Sequence, residues 1–251
     1  MTPPALEIAG IDKSFGALHV ARNISLALPV GARHALIGPN GAGKTTLVNL
    51  ISGLLRPAAG SILLTGIDIT HASPERRVAL GLARTFQISS LFPGLTVAEN
   101  VALALESRLG LDRRLWGSVR GRPELVDGAA SLLETLGLLA LAGRPVSDLP
   151  YGQRRLVEIA LVLALEPRIL LLDEPAAGVA SVDRGVLLDL LLRLPEALTV
   201  LVIEHDMSLV FRLAQRITVL VEGAVLTEGS VAEVRADPRV RDVYLGSRPH
   251  G

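Results

Sequence analysis

Gly38-Pro39-Asn40-Gly41-Ala42-Gly43-Lys44-Thr45 is the stretch of this 251-residue chain whose reading decides the fold. It matches G-x-x-x-x-G-K-[ST], and its flanks are those the pattern needs. Arg33 to Ile37 is a short apolar run that reads as a buried parallel strand, and Thr46 to Leu55 carries helical spacing. The glycines let successive backbone N–H groups curl around phosphate oxygens, and the following helix adds the positive end of its dipole. Lys44 suits the β- and γ-phosphates, and the Thr45 hydroxyl suits Mg²⁺. A glycine-rich turn that only joins strand to helix is the plainer alternative. Lys44 argues against it: the 25 cationic side chains include just two lysines, Lys13 and Lys44, and one of them stands at this position.

Outward from the loop, Ile169-Leu170-Leu171-Leu172-Asp173-Glu174 reads as a strand buried on both faces that ends in adjacent carboxylates. The C-terminal ends of parallel strands are where ligands of open α/β sheets lie. Asp173 suits a place near Mg²⁺, and Glu174 suits orienting an attacking water. Val200 to Ile203 is another buried strand ending at a carboxylate-bearing turn. Leu6 to Ile11 is a strand, Ser61 to Ile69 a hairpin around Gly66, and Ile217 to Glu228 a strand, turn and strand. Between Ser89 and Arg144 strand texture vanishes, and Val97 to Arg108 and Glu124 to Ala140 read as helices, with Gly152 to Leu165 another. The fold class is α/β with a largely parallel core sheet, an N-terminal antiparallel β subdomain and an inserted helical subdomain. The expected division is one domain over 1–251, with its core in 1–88 and 160–251 and the helical part in 89–159.

Composition narrows the function classes. Hydrophobic residues at 49% and charged residues at 20% exclude a disordered chain. A formal net charge of zero argues against a nucleic-acid partner. The absence of cysteine excludes disulfides and thiolate metal sites. Met1 to Gly10 does not read as a secretory signal. The most apolar region, Ile159 to Ala180, is interrupted by Glu166, Arg168, Asp173 and Glu174, so no membrane span is expected.

Leu149-Pro150-Tyr151-Gly152-Gln153-Arg154, some twenty residues before Asp173, resembles the signature motif of the ATP-binding-cassette family. With the loop at 38–45 and the strand at 169–174, the resemblance covers essentially the whole chain. It implies a P-loop NTPase core of the RecA-like kind and hydrolysis of ATP with Mg²⁺. It also implies a nucleotide site made from Gly38, Pro39, Asn40, Gly41, Ala42, Gly43, Lys44, Thr45 and Thr46. By the same resemblance Phe15 stacks on adenine, Gln87 contacts Mg²⁺, and His205 touches the γ-phosphate. Thr45, Gln87 and Asp173 then surround the metal, while Lys44, Glu174 and His205 are the catalytic set. Each of the outlying three has a plain alternative: Phe15 as core, Gln87 as a loop residue, His205 as a structural histidine. His19, His34, His71 and His250 lack comparable context.

The resemblance further implies that two cassettes close head-to-tail, so that Leu149, Pro150, Tyr151, Gly152 and Gln153 act in the partner's site. The expected partners are two transmembrane permease subunits, a second ATPase subunit (sister or identical), and indirectly an extracytoplasmic solute-binding protein. The place is peripheral, on the cytoplasmic face of the cell membrane. Ile88 to Leu95 is a candidate grip on the permease, and the arginines at 113–114 and 120–122 read as a solvated basic patch. Ala83 to Gln87 running into Leu91-Phe92, the tyrosine before Gly152, Glu174-Pro175-Ala176-Ala177-Gly178, and the ending Asp237-Pro238 to Tyr244-Leu245-Gly246 resemble the ATPase of branched-chain amino acid importers. Urea and amide importers share these features. A soluble non-transport cassette is the more distant alternative, since the stretch from Ile88 to Asp148 is too short for a long coiled-coil insert.

Three positions depart from the family pattern. Pro150 replaces the usual serine and supplies neither hydroxyl nor N–H. Ala180 stands where Asp or Asn is usual, and Leu161 where an arginine is common.

Overall fold

Leu6–Phe15 (β1) runs antiparallel to Leu18–Leu28 (β2), from the pair Leu6↔Leu28 to the pair Phe15↔Leu18. On its other side β1 pairs antiparallel with Ala59–Leu64 (β4), which pairs with Ile67–Asp68 (β5), giving the order β2-β1-β4-β5. The β4–β5 turn places Thr65 and Gly66 at φ 49° and 83°, the two positive values that a tight hairpin turn demands. The computed structural model describes residues 3–85, 91–108 and 122–245.

A second sheet has six strands in the order β10-β9-β3-β8-β7-β6. They are Arg33–Ile37 (β3), Leu82–Arg84 (β6), Ile169–Asp173 (β7), Thr199–Ile203 (β8), Arg216–Val221 (β9) and Ala224–Ser230 (β10). β9, β3, β8 and β7 run parallel, and β10 returns antiparallel to β9. Every residue of β7 and β8 is buried, which accounts for their unbroken apolar runs. Helix α1 (Lys44–Ser52) buries Leu47, Val48, Leu50 and Ile51 in one cluster with Ile8, Ile11, Ile24 and Ile62 of the antiparallel sheet and Leu36, Leu171 and Leu201 of the parallel one.

Helix α1 stops earlier than its periodicity predicts, at Gly53 (φ 83°) rather than Leu55. The reason is tertiary. In helix α2 (Pro74–Ala79) the buried Arg77 donates to Leu50 O at 2.7 Å and Ile51 O at 2.6 Å, and to Thr70 O and Ala72 O. A guanidinium thus gathers carbonyls of the last turn of α1, among them Leu50 O, which the Gly53 N–H also reaches at 3.3 Å, at the negative end of the helix dipole. Burial lowers the pKa of Arg77, with Asp68 pulling the other way. Its group remains a cation.

By contacts the chain separates into two units: Met1–Ala83, Arg168–Pro175 and Glu196–Gly251 form one, and Arg84–Pro167 with Ala176–Pro195 the other. The first also holds α7 (Met207–Leu213), α8 (Val231–Ala236) and α9 (Pro238–Leu245). The second is helical: α3 (Val97–Arg108), α4 (Pro123–Thr135), α5 (Tyr151–Ala164) and α6 (Ser181–Leu192). Thr96 and Glu99 begin α3 with reciprocal side-chain-to-backbone bonds, Glu99 N to Thr96 Oγ1 and Thr96 N to Glu99 Oε2. The expected helix 124–140 ends at Thr135, because Gly137 takes φ 75°. Arg122 pairs with Glu106, so this member of the expected solvated patch has a partner; residues 113–114 and 120–121 lie outside the described residues.

Candidate active site

Residues 38–43 join β3 to α1, and the neighbours of this loop dictate Gly38 and Gly43. A Cβ on Gly38 would lie 2.1 Å from Leu220 O, and one on Gly43 2.5 Å from Val20 O. Gly43 also takes φ 99° as the residue before α1. From behind, Gly223 N donates to Ala42 O at 3.0 Å, and Arg22 N to Gly223 O at 2.7 Å. The loop is therefore pinned by β2 and by the β9–β10 turn. Pro39 is half-buried, Asn40, Gly41 and Thr45 are exposed, and Thr46 is half-buried in the first turn of α1. Lys44 Nζ donates to Gly38 O at 2.7 Å and Pro39 O at 2.9 Å. Burial lowers its pKa, while Glu174 and Asp173 pull it upward.

Asp173 closes β7 and is buried; Glu174 follows it and is exposed. Glu174 N donates to Ile203 O at 2.9 Å, carrying the β7–β8 ladder one residue further. Its φ of 46° lies in the left-handed region, which for a residue with a Cβ costs about 1 kcal/mol or more. Strain of this kind collects where a side chain must be aimed.

The next carboxylate, Glu204, belongs to no motif in the sequence and is the anchor of the β8–α7 turn. It is 1% exposed, and its Oε2 accepts from His205 N at 3.0 Å and Asp206 N at 3.2 Å. The His205 side chain stays 68% exposed, with Nδ1 3.9 Å from Glu204 Oε2. Asp206 then caps α7 through Ser208 N and Leu209 N.

Phe15 ends β1 and is 49% exposed, so it is not the core residue that an isolated phenylalanine usually is. Lys13 Nζ sits 5.3 Å from its ring centroid and donates to Arg56 O at 2.8 Å. Both lysines of the chain thus serve this unit, one in the loop and one against Phe15. Gln87 lies outside the described residues. Among the described residues no cluster of three or more His, Cys, Asp or Glu could hold a metal.

In the second unit, Pro150 precedes α5 in extended geometry with no capping side chain. Tyr151 is 61% exposed. Gly152 is buried, and a Cβ there would meet Asp183 Oδ2 at 2.5 Å. Leu149 is buried, and Gln153 Oε1 accepts from Arg144 at 3.4 Å. Ala180 stands before α6, likewise uncapped, and Leu161 is buried in α5.

Residues 21–177 match the family ABC transporter, and residues 224–250 match the family Branched-chain amino acid ATP-binding cassette transporter. The chain belongs to the ABC transporter family. It is 40% identical over 98% of its length to the high-affinity branched-chain amino acid transport ATP-binding protein LivG of Salmonella typhimurium, covering 99% of that protein. Identity to BraF of Pseudomonas aeruginosa, described in the same words, is 37% over the same shares of the two chains. Among solved structures, an ATP-binding cassette of an ABC transporter in its ADP conformation superposes with a TM-score of 0.82 at 31% identity, over 98% of this chain and all of that one. The cassette is therefore an ATPase that energises an importer, and its nucleotide is ATP. Such a subunit works with membrane permeases, and among its described residues no helix is long and apolar enough to cross a membrane.

Proposed function

We propose that this cassette drives the import of branched-chain amino acids from the cytoplasmic face of the cell membrane. In this reading Lys44 and the N–H groups of residues 38–46 hold the phosphates of ATP, and the base stacks on Phe15. Glu174 orients the attacking water and takes up its proton, and His205 contacts the γ-phosphate. The observation that carries the site is Lys44 Nζ folded onto Gly38 O at 2.7 Å and Pro39 O at 2.9 Å inside the loop, with Glu174 and Asp173 acting to raise its pKa. The amino-acid assignment rests on the near-full-length similarity to LivG and BraF.

The residues fit a magnesium ion held mainly by substrate. The Thr45 hydroxyl and Asp173 carboxylate are hard oxygen donors, and among the described residues too few acids converge for an all-protein cage. Thr45, Asp173 and Gln87 would hold it, and when bound it would neutralise charge on the β- and γ-phosphates. Leu149 to Gln153 would complete the site of a second cassette, identical or sister, on two permeases fed by an external solute-binding protein.

The test is Glu174→Gln in the assembled transporter. ATP hydrolysis should fall roughly 10²–10⁴-fold, the range of a positioned base, with ATP affinity retained. Hydrolysis at the wild-type rate would remove Glu174 from the mechanism. Transport of leucine but not urea by the same preparation would support the amino-acid reading, and the reverse would replace it.

A further inference from the structure

Beside the end of β3, helices α7, α8 and α9 border a cavity of about 700 Å³ that lies wholly within the first unit. That volume falls in the range of small-molecule sites. Its wall is apolar, with Phe211, Val234 and Val240 prominent. Among the described residues its charged lining consists of Arg235 and Arg241, with no acidic residue. The Arg235 guanidinium carbon lies over the Phe211 ring, 4.8 Å from its centroid, and among the described residues Arg241 Nε donates to Arg235 O, at 3.4 Å. Neither has a carboxylate partner among the described residues, and nearby Asp237 is engaged by Arg239. A guanidinium placed over a ring keeps N–H donors free at its edge, and those donors suit a carboxylate.

Two further lining residues tie the cavity to the nucleotide machinery. Ile37, the last residue of β3, is followed directly by Gly38 of the phosphate loop. Met207 opens α7 two residues after His205. An occupant wedged among α7, α8 and α9 would restrain the segment that carries His205 and press on the strand that feeds the loop.

The geometry points to a regulatory site for an aliphatic carboxylate that carries no cationic group, with its occupation slowing ATP hydrolysis. The apolar wall takes the chain, and the two arginines take the carboxylate. An α-ammonium group would enter a site with two cations and no anion to balance it. A free amino acid is thereby excluded, and a neutral alcohol would leave both arginines without a ligand. The proposal is independent of which solute the transporter carries and of the role given to Glu174.

The experiment uses octanoate, 1-octanol and 2-aminooctanoate, matched in length and differing in head group. Calorimetry on the full chain should show one saturable octanoate site, with affinity at least tenfold above that of either analogue. The double variant Arg235→Gln/Arg241→Gln should lose at least tenfold. In the assembled transporter, saturating octanoate should lower kcat at least twofold with little change in KM for ATP. The cavity-filling variant Ala236→Phe, basally active, should not respond. Absence of saturable binding, equal binding of octanol or 2-aminooctanoate, or full binding by the arginine double variant would overturn the site. Binding by the wild type with unchanged kcat would overturn the regulation.

Discussion

Helices α1 and α5 begin alike and are finished differently. Each follows a residue that offers no capping side chain, Gly43 in one case and Pro150 in the other. Before α1, the backbone is clamped by contacts from β2 and the β9–β10 turn, and a lysine crosses the loop. Before α5, the preceding residue has no N–H, and a carboxylate, Asp183, lies against Gly152. The nearby arginines are turned away to carbonyls: Arg154 holds Leu149 O and Ser147 O, and Arg144 holds Asp148 O. The first helix start has the geometry of an anion cradle with its own cation. The second offers helix-dipole field and backbone donors alone, which fits the proposed role of an element that adds to a phosphate held elsewhere.

The sharpest way to break this contrast is to remove the cation. Lys44→Ala should lower kcat/KM for ATP roughly 10²–10³-fold, the loss typical of one preorganised donor at a charged centre. A loss under tenfold would mean that the loop backbone suffices and that the two helix starts are equivalent.

The rigidity of the loop depends on β3, whose His34 is buried with Nε2 2.7 Å from Thr218 Oγ1. Desolvation lowers its pKa to about 4, against the pull of Glu228 and with the help of Arg216. An unfolded chain binds a proton at His34 below about pH 6.5 while the folded one still resists, so stability falls as pH drops from about 6.5 to 4 and levels off below. The full effect of this one group is about 3 kcal/mol. Urea denaturation of wild type and His34→Gln across that window should show the variant with a flatter pH dependence. Parallel profiles would refute it.

At the other helix, Pro150→Ser adds a hydroxyl and an N–H where α5 begins. The ATP concentration for half-maximal activity of the assembled transporter should fall roughly tenfold, as one charge-assisted hydrogen bond would give. An unchanged value would mean that position 150 does not meet phosphate. The smallest effect is expected at Ala180→Asp, which gives α6 a capping side chain: about 1 kcal/mol, or roughly 2–4 °C in Tm for a chain of this size. Thermal unfolding measures it, and a fall in Tm would show that the carboxylate is repelled there.

Much of the fold was legible wherever a stretch carries its own signal. The buried runs of β3, β7 and β8, the Gly66 hairpin and the β9–β10 turn announce themselves. β2 did not, because His19, Arg22 and Asn23 interrupt its pattern and a register shift near Asn23 (φ 48°) breaks its alternation. α6 was equally obscure: Val182 and Val186 are exposed, so its apolar residues do not trace one buried face.

By itself the sequence determined the glycine-rich loop, its strand and helix, and the carboxylate pair at the end of β7. Each of these is written in consecutive residues whose backbone geometry and chemistry are local. The tertiary structure alone decided that Glu204 ties down the His205 turn and that Lys13 caps one side of Phe15. It alone brought Arg77 to carbonyls 26 and 27 residues earlier in the chain, and two arginines to an apolar cavity beside the loop. On one side of most of these contacts stands a main-chain N–H or C=O group. Every residue carries one, so no side-chain pattern could have announced them.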